Sequence, residues 1–195
     1  MSGTTDPALG DPRTNYERML AGELYLADDL RIVAEQAEAH RLMEAYNATP
    51  SADRPGRDGI LHRLFGSLGE DVVVRAPLYC DFGFHIALGD RTFVNFGLVA
   101  LDVAPITVGA DCQLGPDVQL LTPIHPLDAE LRRDGWEQAA PITLGDNVWL
   151  GGGVIVLPGV TIGSDTVVGA GSVVSRDLPA GVLAVGTPAR VVRTL

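Results

Sequence analysis

The chain has 195 residues, 46% of them hydrophobic, and sets 14 basic against 25 acidic side chains for a formal charge of −11. That is the size of one domain with a small appendage. It is too apolar and too sparsely charged for disorder, and too acidic for a general binder of nucleic acid or anionic membrane. All 14 basic residues are arginine, which excludes Schiff-base lysines, a Walker-A phosphate loop and a Ser-x-x-Lys acyl enzyme.

Residues 1–13, rich in Gly, Pro, Thr and Asp, predict a loose tail without the apolar run of a signal peptide. No stretch approaches the roughly 20 apolar residues that span a bilayer, so a cytoplasmic location without membrane contact is expected. Residues 14–70 predict a small helical cap. Leu26, Leu30, Val33, Ala34, Ala37, Leu42 and Tyr46 recur at helical spacing. Gly22 closes a short first helix, Asn47 and Pro50 stop the second, and a third is expected around Gly59 to Leu68. Cys80 and Cys112 stand too far apart for a zinc finger or a disulfide framework and read as buried small hydrophobes in a reducing compartment.

Residues 71–195 differ in kind. Twenty of the 21 valines and 18 of the 23 glycines lie beyond Leu64, and a six-residue repeat replaces the helical period. Its clearest run is LGDNVW, LGGGVI, VLPGVT, IGSDTV, VGAGSV, VSRDLP, with Leu144, Leu150, Val156, Ile162, Val168 and Val174 in the first position. A rougher run gives Leu88, Val94 and Ala100, then, after a two-residue slip, Val108, Leu114 and Leu120. A period of six means one short strand and one tight corner per repeat, with one aliphatic side chain inward each time. Glycine is expected at the corner for its permissive backbone. Three hexads make an 18-residue triangular coil, and Ile142-Thr143-Leu144-Gly145 indeed returns as Val160-Thr161-Ile162-Gly163. The same motif at Ile106-Thr107-Val108-Gly109 precedes Ile142 by 36 residues. Because HPLDAELRRDGWEQAAP breaks the pattern, the expectation is one coil plus an extruded loop over about 125–141.

These hexads resemble the left-handed parallel β-helix of the hexapeptide-repeat acyltransferases, and the expected class is mainly β, with a helical cap and one extruded loop. Within that family the chain is most similar to the maltose and galactoside O-acetyltransferase group. The likeness runs from about Tyr16 to Val192. Its marks are Met19-Leu20-Ala21-Gly22-Glu23-Leu24-Tyr25, Tyr79-Cys80-Asp81-Phe82-Gly83, Asn95-Phe96 and Leu101-Asp102-Val103. They continue through Thr122-Pro123-Ile124-His125-Pro126, Gly145-Asp146-Asn147-Val148-Trp149-Leu150-Gly151 and Gly186-Thr187-Pro188-Ala189-Arg190-Val191. The resemblance implies transfer of acetyl from acetyl-CoA to a sugar hydroxyl by a homotrimer, without a metal.

Attack of an alcohol on a thioester needs a base, and histidine suits neutral pH. His40 and His62 fall on polar turns of the cap, and His85 is expected on the coil surface or a subunit contact. His125, where the repeat breaks, matches the family's general-base position. Gly152 falls where the family offers a backbone N–H to the developing oxyanion, a donor that glycine keeps. Asp81, Asn95 and Asp102 match positions lining the acceptor cleft, and Asn95 also reads as a corner cap inside the coil. Trp149 is too large for a narrow coil interior and must point outward, where the family has a tryptophan beside the pantetheine arm. Gly115, Ala170, Ser175, Arg176, Arg190 and Arg193 match coenzyme-contacting positions. Residues 175–195 carry three arginines against Asp177, a local reversal of sign that suits phosphate oxygens.

The cap departs from the family pattern: an arginine-rich stretch is replaced by Gln36-Ala37-Glu38-Ala39-His40, which leaves a hydroxylated antibiotic or another small alcohol open as acceptor. A β-helical carbonic anhydrase would need three clustered histidines, and only His85 and His125 lie in the coil. A non-catalytic scaffold would have no use for the base, the outward tryptophan and the C-terminal arginines together.

Overall fold

The computed structural model describes residues 6–195. Three helices come first: α1 (Asn15–Leu20), α2 (Leu30–Ala48) and α3 (Arg54–Leu64). Thr14 and Glu17 form a capping box on α1, which satisfies donors that have no partner inside the helix. Of the tail expected to be loose, residues 1–5 lie outside the described residues, and Asp11 pairs with the buried guanidinium of Arg18. The third helix lies earlier than its apolar spacing suggests. Asp53 caps it, Pro55 enters its first turn, and Phe65 is already extended, so the coil begins at Ser67–Leu68.

From there the chain winds through three parallel faces. The first is built from Ser67–Leu68, Ile86–Leu88, Ile106–Val108, Ile142–Leu144 and Thr161–Ile162. The second contains Val73–Val74, Phe93–Val94, Gln113–Leu114, Trp149–Leu150, Val167–Val168 and Val182–Val185, and the antiparallel Arg190–Thr194 closes it. The third contains Leu78–Cys80, Leu98–Leu101, Gln119–Leu121, Ile155–Val156 and Val173–Val174. The hexad aliphatics stack in vertical ladders, Leu88 on Val108 on Leu144 on Ile162 and Val94 on Leu114 on Leu150 on Val168. Each is 3% exposed or less, so the core is a column of branched side chains and both cysteines lie within it.

Ile142 pairs directly with Ile106, so one coil plus an excursion is the observed solution. The first coils advance by twenty residues, Leu68 to Leu88 to Val108, whereas Leu144 to Ile162 advances by eighteen. The two-residue slip therefore sits at the corner that follows the third face, where Asp81-Phe82 and Asp102-Val103 bulge.

The glycine expectation holds at the corners of Gly97, Gly153 and Gly171, which have positive φ, but not at the second position of the hexads. Gly109 and Gly145, second in their hexads, do not have positive φ. A Cβ on Gly145 would come within 2.6 Å of the Ser164 nitrogen, and one on Gly109 within 2.7 Å of the Asp146 nitrogen. Glycine is needed there because the next coil's backbone lies against it. The left-handed residue comes two positions later, at Asp71, Arg91, Asp111, Asn147 and Asp165. Four of those five are the short polar types that tolerate this region best.

Candidate active site

Two edges of the triangular coil carry the candidate residues. The edge after the third face bears the excursion. Thr122 locks its root: the buried hydroxyl donates to the Leu101 carbonyl at 2.6 Å and accepts from the Ala104 N–H at 3.0 Å. Pro123–Ile124 then pairs antiparallel with Trp136–Ala139, and between them lies the short helix α4 (Ala129–Arg133), capped by Asp128. His125 follows the outgoing strand with its side chain 62% exposed, and its Nδ1 stands 3.9 Å from Glu137 Oε2. That exceeds a hydrogen bond but is within reach of an ion pair. The other oxygen, Glu137 Oε1, accepts from the buried Tyr25 hydroxyl at 2.7 Å. Tyr25 is brought there by Tyr25–Leu26, paired antiparallel with the excursion in the register Tyr25 to Glu137.

Asp81 lies on the same edge. It is half-buried, and burial, then the neighbouring Asp102, push its carboxyl up to about 6, with His40 acting against them and Glu137 adding to them. Its carboxylate accepts no hydrogen bond among the described residues. Asp102 does not reach the acceptor side as expected. It is fully buried: Oδ1 accepts from the Asp81 and Phe82 N–H groups at 3.0 and 2.9 Å, and Oδ2 from that of His85 at 3.3 Å. The carboxylate is spent on closing the bulged corner beneath Asp81. His85 Nδ1 lies 2.7 Å from the Asp102 carbonyl, so this histidine belongs to the corner as well, while His40 and His62 are exposed.

The second edge separates the second and third faces. A groove of about 510 Å³ runs along it, lined among others by Asn95, Gly115, Trp149, Gly152 and Ala170. Trp149 points outward and is 55% exposed. The Gly152 N–H has no acceptor among the described residues, and a side chain there would press on Pro116 at 3.3 Å. Asn95 has the corner-cap character, its Oδ1 accepting from the Phe96 N–H at 2.9 Å, and it lines the groove.

The C-terminal arginines divide. Arg190 and Arg193 stand exposed on the strand that closes the second face, whereas Ser175 and Arg176 leave the third face, also exposed. Within one chain, then, the structure brings His125 and Asp81 to one edge and Asn95, Gly115, Gly152 and Ala170 to another. Glu137 and Tyr25 were missed in the sequence. The only signal for Glu137 was its place inside the segment that interrupts the hexads.

The comparisons with known proteins agree with this architecture. Residues 18–69 match the maltose acetyltransferase hexapeptide capping motif, and residues 141–176 match the bacterial transferase hexapeptide, six repeats. A maltose O-acetyltransferase from Clostridium difficile superposes with a TM-score of 0.93 at 43% identity, covering 94% of this chain and 98% of that one. A hexapeptide-repeat acetyltransferase from Vibrio cholerae, complexed with acetyl coenzyme A, gives 0.87 at 40% identity over 94% and 99%. A galactoside O-acetyltransferase from Lactococcus lactis is 38% identical over 182 residues, 93% of this chain and 88% of that protein. With its hexapeptide coil and its helical cap each matched in this way, the chain belongs to the hexapeptide-repeat acetyltransferases of the maltose and galactoside O-acetyltransferase group.

Proposed function

We propose that the protein moves acetyl from acetyl-CoA to a hydroxyl of a sugar or sugar-like acceptor, with His125 as general base. The observation that carries this reading is the His125–Glu137 pair, an exposed imidazole on the one interruption of the coil with a carboxylate facing its Nδ1. In the step itself Nε2 takes the hydroxyl proton as the acceptor oxygen bonds to the thioester carbon. Glu137 stabilises the imidazolium so formed. The Gly152 N–H donates to the carbonyl oxygen as it gains charge. Collapse of the tetrahedral species breaks the C–S bond, and the imidazolium returns its proton to the leaving sulfur. Asp81 and Asn95 hold acceptor hydroxyls, Trp149 flanks the pantetheine arm with Gly115 and Ala170, and Ser175, Arg176, Arg190 and Arg193 meet the nucleotide end.

Because these groups divide between two edges of one chain, the reading includes a homotrimer in which the His125 edge of one copy faces the groove of the next. An assay of free thiol released from acetyl-CoA, run over sugars and hydroxylated antibiotics, tests the reaction. Release with sugars supports the sugar reading, and release with antibiotics alone assigns the other acceptor class, which the arginine-poor cap segment leaves open. His125→Ala is expected to cut turnover by roughly 10²–10⁴-fold with an unchanged KM for acetyl-CoA. Retention of more than about a third of wild-type turnover removes the base assignment.

A further inference from the structure

We infer that Tyr25, delivered by the helical cap, is a positioning residue for acetyl transfer that fixes the Glu137 carboxylate facing His125. The inference rests on His125 being the base. Tyr25 is 2% exposed, its ring lies in a cluster with Met19, Phe82, Val103, Ala104 and Ala139, and its hydroxyl lies 2.7 Å from Glu137 Oε1. The backbone is held from two sides: Tyr25 pairs with Glu137 across the antiparallel strands, and the Arg18 Nε donates to the Leu24 carbonyl at 2.7 Å. Ring and backbone leave the hydroxyl little freedom.

Burial, then the Glu137 carboxylate, push the Tyr25 phenol well above its usual range. The hydroxyl therefore keeps its proton and donates it. Among the described residues no other group donates a hydrogen bond to the Glu137 carboxylate. The groups facing that carboxylate are Tyr25 from the cap, His125 from the excursion, and Asp81 from the coil corner, with Asp102 and His40 beside Asp81. Among the described residues no guanidinium bonds to it. With Oε1 occupied, Oε2 remains for the imidazole; without the phenol, a side chain of three torsions is free to turn away from His125.

A double-mutant cycle tests this on the full-length enzyme, with Tyr25→Phe, Glu137→Ala, the double variant and His125→Ala measured together. Tyr25→Phe is expected to lower kcat on the order of tenfold, the scale of coupling within one network. The KM for acetyl-CoA should stay unchanged. In the Glu137→Ala background the same change should cost under about twofold, because the carboxylate to be held is gone. A tyrosine that only fills the core would lower the melting temperature and leave kcat per folded enzyme unchanged, or cost the same factor in both backgrounds. Either result overturns the inference. If His125→Ala keeps its turnover, the base reading falls and takes this inference with it. If His125→Ala is inactive while Tyr25→Phe and Glu137→Ala are independent, only the role of Tyr25 is overturned.

Discussion

Asp81 stands half-buried at the bulged corner, with Asp102 beneath it and Glu137 within electrostatic reach. Its carboxyl, pushed up to about 6 from 3.8, holds its proton more tightly in the folded chain than in the unfolded one. Ionising it therefore costs stability, in full above about pH 6 and not at all well below the unfolded value. The cost is on the order of 3 kcal/mol at most. An acceptor hydroxyl donating to Asp81 would relieve it, so the strain fits a residue kept for binding rather than for folding. Asp81→Asn is expected to raise the melting temperature near pH 7.5, with the gain narrowing by about half near pH 5. A gain independent of pH, or a loss near pH 7.5, would show that ionising Asp81 carries no such cost.

The coil elements were legible in the sequence because each strand contributes one inward aliphatic, and the ladder Leu144, Leu150, Val156, Ile162, Val168, Val174 has no gaps. The first coil was harder to see: Leu68, Val74 and Cys80 follow a helix and advance by twenty, which hides the period. His125 was readable as a break in the repeat. Tyr25 and Glu137 were not, because they meet across 112 residues of sequence, and no local pattern encodes an antiparallel contact between cap and excursion. Nor could the sequence say why glycine recurs, since close approach of the next coil and a left-handed backbone both select it. The two causes predict different mutants. Gly145→Ala drives a Cβ into the backbone at Ser164 and should destabilise by about 1–3 kcal/mol or more. Asn147, at φ +55°, would shed its backbone strain as glycine but lose its 2.8 Å hydrogen bond to Asp165 Oδ1, so Asn147→Gly should cost under about 1 kcal/mol. Equal losses in thermal melts of the two variants would restore the simpler view of glycine as a corner residue.

At the scale of the whole molecule, the three outward surfaces differ in chemistry. The first face presents Ser67, Ala87, Thr107, Thr143 and Thr161 in register, a surface of small side chains. The third presents Tyr79, Val99, Gln119, Ile155 and Val173, and the second Val73, Phe93, Gln113, Trp149, Val167 and Leu183. In a closed ring of three copies each gives one face to either neighbour and turns the remaining face out. For the His125 edge, between the third and first faces, to lie against a neighbour's groove, between the second and third, the first face must pack on the neighbour's second. Assembly and turnover should then fail together. Thr143→Arg places a charge in the middle of the first face without touching the inward ladder. Sedimentation should show the wild type near 62 kDa, three times the 20.6 kDa chain, and the variant near the monomer mass. Its thiol release should fall with the trimer, while Gln119→Arg on the outward third face should change neither. A wild type that sediments as a monomer and still turns over would place the complete site within one chain, and the division of its residues between two edges would need another explanation.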